Sequence, residues 1–393
     1  MLKNRDFYKL ILYGAGFGVF AGLVFVVMLR VVALGLQFIW GTVPAALGLA
    51  DFRLYPLLAC MVGGLLVGLL QRTFGDHPKP FQYSLAMFQQ TGRFEYQYMP
   101  QGISAALTSL WFGVSLGPEA ALMDVIGGSA QWFADRVRGT VDLERLTKRA
   151  PDQEPSKRWL AIPGIPAMLA AVLVMGGLGV ADGFGYHFDP YIPQLMDLVY
   201  AVPLALVGVG MGALFIYSAS WLQGLARPLA HRPVLLAVLG GIGLGLIASF
   251  TQDVLNSGQH ELQHVYDERV LSGAILLIVL AMLKILATNL CIATNWKGGN
   301  IFPILFASGT MGLAFSVMLP GLHPLVGVVA LMSAACTVVL RKAAISVLTL
   351  ALLLPINLIG VAIVAAAVGA VLMKFLDVFP YPQMQALKKS TPV

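Results

Sequence analysis

Charge is what this sequence has least of. Lys, Arg, Asp and Glu make up 11% of its 393 residues, whereas an ordinary soluble domain carries about 25%. That is too little polar side chain to cover a surface facing water, so a soluble globular protein is excluded. Disorder needs low hydrophobicity and high charge and is excluded with it, as is a nucleic-acid partner, which needs a dense basic face. Cysteine is scarce as well. Cys60, Cys291 and Cys336 all lie in apolar stretches, without disulfide-framework or metal spacing, and read as packing residues.

In place of charge, 58% of the residues are hydrophobic and the mean hydropathy is +0.81. Uncharged runs at 10–29, 160–181, 198–226, 298–340 and 343–373 match or exceed the roughly 20 residues that span a hydrocarbon core. The bilayer is the solvent. Apolar segments read at 10–48 (divisible near Arg30), 54–70, 98–133, 159–181, 198–226, 233–250, 270–296, 301–340 (two) and 343–375. They make one polytopic membrane domain over 1–393, with about ten or more membrane segments and no appended soluble domain. The first run is too long for a removed signal peptide.

The basic residues give orientation more than they give a partner. The interruption at 135–158 holds Arg136, Arg138, Arg145, Lys148, Arg149, Lys157 and Arg158 and reads as a cytoplasmic loop. Lys3, Arg5 and Lys9 at one end, with Lys388 and Lys389 at the other, place both termini in the cytoplasm and make the number of crossings even. The expected location is a bacterial inner membrane.

Gly and Pro break several segments, as in Ile162-Pro163-Gly164-Ile165-Pro166 and Gly298-Gly299-Asn300-Ile301-Phe302-Pro303. A break frees backbone groups where no water can satisfy them, so it persists only against protein or a polar cavity. Broken helices at matching places in two halves point to a transport site, because helix N-termini offer amides and a positive dipole end to an anion. Gly14, Gly18 and Gly22, four apart, are better explained by close helix packing.

A charge at the bilayer centre costs roughly 2.5 to 3.5 kcal/mol, so the ionisable groups inside apolar runs deserve a reason. Glu119 follows Pro118, which marks a helix start and puts the carboxylate where an anion would bind. Asp124 is five positions on, facing another side of the helix. Asp124 and Lys284 read as end-of-helix charges reaching headgroups or water.

Two enzyme patterns compete. His260-Glu261-Leu262-Gln263-His264 matches the zinc motif H-E-x-x-H and leaves an intramembrane zinc protease as the alternative of another class. It falls, however, in the polar connection 251–269, and no third ligand follows at a distinctive spacing. Gly113-Val114-Ser115-Leu116-Gly117 matches G-x-S-x-G, but a bilayer segment supplies no strand for a nucleophile elbow.

Ser115-Leu116-Gly117-Pro118-Glu119-Ala120 resembles the glutamate-bearing segment of the CLC chloride channel and transporter family, in a divergent bacterial form. Gly299-Asn300-Ile301-Phe302-Pro303 resembles that family's G-x-F-x-P segment, and Lys284 stands nineteen residues before Pro303, where some bacterial members carry arginine. The resemblance covers about 10–375. It implies an all-α fold of tilted, broken helices in two inverted halves, roughly 10–182 and 198–375. It also implies a homodimer with one anion pathway per subunit, no cofactor and no metal. Glu119 would be the protonatable gate. Gly117, Pro118, Gly299, Ile301, Phe302 and Pro303 would line the anion site for chloride or another small anion, with protons as a second partner if transport is coupled.

Departures from the family pattern are equally specific. Gly75-Asp76-His77-Pro78 stands at the family's G-S-G-I-P segment, and an aspartate there repels an anion unless it is protonated or turned away. Met175 stands at the inner glutamate of the proton-coupled exchangers and cannot relay a proton. Tyr381 is the candidate for the pore tyrosine, and Pro118 replaces a basic residue. Channel and exchanger both remain open.

The orientation is testable at once. A cysteine placed at Ser156 should react with a membrane-impermeant thiol reagent only from the cytoplasmic side; labelling from outside would invert the topology.

Overall fold

The computed structural model describes residues 5–75, 77–79, 96–137 and 191–376, together with 166–167, 169–171, 173–174, 177–178, 186 and 188. Asp76, Met175, Tyr381 and nearly all of the basic loop 135–158 lie outside the described residues.

Every element longer than a turn among the described residues is helical. The chain runs through α1 (Arg5–Gln37), α2 (Tyr55–Phe74), α3 (Met99–Trp111), α4 (Glu119–Val137) and α5 (Leu195–Ala226). It continues through α6 (Pro233–Ala248), α7 (Gln259–Ala293), α8 (Ile301–Met318), α9 (Pro324–Leu340), α10 (Ala343–Leu353) and α11 (Ile359–Leu376). Among the described residues six helices are long and apolar enough to cross a membrane, including Ile11–Ala46, Tyr55–Phe74 and Gln259–Ala293. Others are too short. The 13 residues of α3 reach about 20 Å at 1.5 Å per residue, against a core of about 30 Å. The chain is therefore a multi-pass membrane protein whose membrane helices include partial crossings, as the Gly/Pro breaks require.

Several boundaries differ from the sequence reading. Arg30 does not divide the first segment, since α1 runs on to Gln37 and through a wide π turn at Phe38–Thr42; its long side chain reaches a cavity, described below. The run 343–375 is two helices, interrupted at Leu354–Leu358 around Pro355, whose missing amide cannot continue a helix. The stretch 251–269 is not simply a polar connection. From Gln259 it is the start of α7, whose Leu262, Val265 and Tyr266 are buried at a spacing of three and four. At Gly273, φ 74° and ψ 159° break α7 in the middle, a conformation open to glycine.

Close backbone approach holds the bundle together. Along the α2–α6 contact a methyl on Gly64 would sit 2.4 Å from the Ala237 carbonyl, on Gly68 2.6 Å from Val234 Cα, and on Gly241 2.2 Å from the Cys60 carbonyl. Gly312 of α8 meets the backbone of Gly327 in α9 at 2.4 Å by the same measure. Lipid offers no hydrophobic drive between helices, so this contact area supplies the association. Gly18 and Gly22 pack against Ala167 and Ala171, as their spacing indicated. The two central helices are enclosed, α8 from Ile301 to Ala314 and α9 from Leu325 to Val339.

Gly241→Val should lower the melting temperature of the detergent-solubilised protein, because overpacking against backbone costs about 1 to 3 kcal/mol or more. Gly210→Ala, where a methyl would meet nothing within 4 Å, should leave it unchanged or slightly raised.

Candidate functional site

Two helix breaks meet at the site. After α3 the chain turns at Gly113 (φ 74°) and bends through Ser115 and Leu116 to Gly117, which pairs with Gly299 in an antiparallel bridge. The Gly117 amide donates to the Gly299 carbonyl at 2.8 Å, and the Gly299 amide returns the bond at 2.6 Å. Side chains brace both approaches. Ser115 Oγ and Thr288 Oγ1 are 3.1 Å apart in the core, and the Lys297 amide donates to Ser109 Oγ at 3.1 Å.

From this bridge α4 and α8 start side by side. Pro303 falls in the first turn of α8, where a missing amide costs nothing. Asn300, before that turn, makes no side-chain capping bond. The cap comes from the other break: Glu119 Oε1 accepts the Phe302 amide at 2.9 Å, and the amides of Ile301 and of Glu119 itself add to the same polarity. A carboxylate thus occupies a helix N-terminus, as an anion would. Its Oε2 is buried without a partner among the described residues. Both bridge glycines are required here, since a methyl on Gly117 would stand 2.0 Å from Oε2 and one on Gly299 2.3 Å.

Glu119 faces a cavity of about 930 Å³ with Pro118, Ile301 and Phe302; Arg30, His260 and Glu261 lie elsewhere on its wall. The residues the sequence singled out at Gly117, Pro118, Glu119, Gly299, Ile301, Phe302 and Pro303 are therefore one constellation.

Lys284 is a different case. It is fully buried and is not an end-of-helix charge reaching headgroups. Its ammonium donates to the carbonyls of Val254 (3.0 Å), Leu255 (2.9 Å) and Asn256 (2.9 Å) and lies 4.9 Å from the Phe306 ring centroid. The charge is held by a turn of backbone about thirty residues upstream, which sequence spacing could not reveal.

The zinc-protease alternative is not supported. His260 and His264 are exposed on α7, His264 pairs with Glu268 at 3.4 Å, and Glu261 turns inward, accepting from Asn256 Nδ2 at 3.0 Å. Among the described residues no three metal-binding side chains cluster. Two further polar groups had no part in the sequence reading of the anion site. Glu261 was hidden inside the zinc pattern, and Tyr186 lies in an apolar, Gly-rich stretch without a motif. The Tyr186 amide donates to the Leu353 carbonyl at 2.9 Å. Its hydroxyl is buried without a partner among the described residues.

A family model described as "Voltage gated chloride channel" matches residues 157–374. The chain is 26% identical over 328 residues to YfeO of Salmonella paratyphi A, described as a candidate ion-transport protein, covering 75% of this chain and 77% of that one. To YfeO of Shigella flexneri it is 22% identical over 379 residues, 90% of each chain. Its fold is similar to a slow cyanobacterial Cl−/H+ antiporter, at TM-score 0.76 and 15% identity over 97% of this chain and 98% of that one. It is also similar to a CLC-type fluoride/proton antiporter, at TM-score 0.67 and 15% identity over 93% and 95%.

Replacing Lys284 by Met would leave the buried carbonyls of Val254 and Leu255 and the part-buried one of Asn256 without this donor, at about 1 to 3 kcal/mol for each buried unsatisfied group. Lys284→Met should melt well below wild type in detergent. A melting point equal to wild type would show that the ammonium does not hold this turn.

Proposed function

The chain belongs to the voltage-gated chloride channel family, and on that premise we propose that it carries chloride or another small anion across the membrane through a pathway closed by Glu119. One observation carries this reading: the Glu119 carboxylate accepts the Phe302 amide at 2.9 Å, in the place a transported anion would take. Ionised, the carboxylate competes with the anion for the amides of Ile301 and Phe302. Protonated, it loses that attraction, swings away and admits the anion. Among the described residues Oε2 has no partner, so leaving breaks bonds at Oε1 alone. Pro118 supplies no charge of its own, so the positive polarity is that of the helix ends.

The working unit is a homodimer with one pathway per subunit, in a bacterial inner membrane with both termini in the cytoplasm. It transports and does not catalyse. The two structural neighbours above are described as proton antiporters, and that favours proton-coupled exchange as the second reading. Met175 at the place of the exchangers' inner acid favours weak coupling or none.

Chloride and pH followed together in proteoliposomes separate the two readings. Uncoupled transport predicts a reversal potential near that of the anion gradient alone, and displacement by a proton gradient supports exchange. Glu119→Gln keeps the shape and removes the charge, so anion flux should persist or rise and lose its dependence on pH. Abolished flux, or an unchanged pH dependence, would end the assignment of Glu119 as the gate.

A further inference from the structure

A second hollow lies apart from Glu119, where the apolar span Ile11–Ala46 ends, the span Tyr55–Phe74 begins and α6 finishes at Ala248. A pocket of about 480 Å³ opens between these helix ends, so it lies at the level where hydrocarbon gives way to lipid headgroups. Aromatic rings gather there, as they do at membrane–water boundaries. Trp40 and Tyr55 meet edge to face at 5.9 Å between ring centroids, and Phe52 and Phe250 are exposed.

The same wall carries one charge of each sign, Asp51 and Arg53. They do not pair with each other. Arg53 donates its Nε proton to the Ser249 carbonyl at 3.3 Å and lies 5.7 Å from the Phe250 ring centroid, which leaves the rest of its N–H fork free. Asp51 has no hydrogen-bond or charge partner among the described residues. Two unpaired charges of opposite sign in one pocket suit a ligand that itself carries both signs a few bonds apart.

We infer that this pocket binds the headgroup of a zwitterionic phospholipid, phosphatidylethanolamine. Arg53 takes the phosphate, whose oxygens match the guanidinium fork, and Asp51 accepts from the primary ammonium. A quaternary ammonium has no N–H to give, so Asp51 disfavours phosphatidylcholine. The wall also continues in the direction acyl chains would take. Leu58, Val62, Leu65 and Leu69 are exposed along the side of α2 that carries Tyr55, a track that a water-soluble ligand would not need.

A headgroup held there bears on the anion cavity through two segments. Trp40, on the pocket wall, donates its indole N–H to the Trp111 carbonyl at 3.0 Å and lies against Gly113, where α3 gives way to the stretch that leads to Glu119. Thr251 and Gln252, on the same wall, lead into the turn whose carbonyls hold Lys284, and Asn256 of that turn donates its amide to the Gly113 carbonyl at 3.2 Å. The bound lipid therefore braces the approach to the site from outside, and it does so whatever the role of Glu119.

The test uses delipidated protein in detergent, mixed in turn with phosphatidylethanolamine, phosphatidylglycerol and phosphatidylcholine of the same acyl chains. Lipid retained per chain is counted by native mass spectrometry, and the melting temperature is followed alongside. Wild type should hold phosphatidylethanolamine about tenfold more tightly than the other two, the difference one charge-assisted hydrogen bond makes, and should melt higher with it. Asp51→Asn, which loses no contact within the protein, should melt like wild type without lipid and lose the preference for phosphatidylethanolamine. Arg53→Gln should weaken all three lipids about tenfold or more by the same reasoning. Undiminished preference in Asp51→Asn, undiminished retention in Arg53→Gln, or equal retention of all three lipids by wild type overturns the site. Glycerophosphoethanolamine, which has the headgroup and no chains, is the control for source: a rise in melting temperature equal to the lipid's would assign the pocket to a soluble ligand and overturn the lipid.

Discussion

Two backbone hydrogen bonds between Gly117 and Gly299 hold the molecule's centre in place. A bilayer has no water to satisfy a broken helix, so each break must find its partner in protein. Here the breaks find each other. The bridge sets the starts of α4 and α8 together, and only then can Glu119 of one half reach the Phe302 amide of the other. The absence of side chains at both glycines leaves the room in which the carboxylate lies. Remove the pairing and the amides, the cavity wall and the carboxylate lose their common reference.

The site was legible in the sequence where its chemistry is local. Pro118 next to Glu119, and Gly-Gly before Ile-Phe-Pro, declare helix starts in their own neighbourhood, and those residues do come together. What stayed hidden depends on distant segments. Lys284 looked like a stray charge because its partners are carbonyls around Val254 to Asn256, and carbonyls leave no mark in a sequence. Glu261 sat inside a stronger-looking pattern, and Tyr186 in no pattern at all.

The fold shows the same division. Apolar length identified the membrane segments, but hydropathy averages over interruptions. It missed the break at Pro355, where a single proline ends one helix inside a run that stays apolar. It overread Arg30, whose long side chain lies on a cavity wall while the backbone of α1 continues. In 251–269 the count of polar residues outweighed the stripe Leu262, Val265, Tyr266, although three buried positions suffice to fasten the start of a helix.

The enclosure of α8 and α9 bears on timescale. A helix buried on every face is poorly suited to shifting, which leaves side-chain torsions as the easier motion at the site. Collective helix shifts take microseconds to milliseconds, a delay that a turn of one side chain does not impose. On the proposed reading of Glu119, with the helix starts fixed and one carboxyl moving, the slow event shifts from the protein's mechanics to the arrival of a proton.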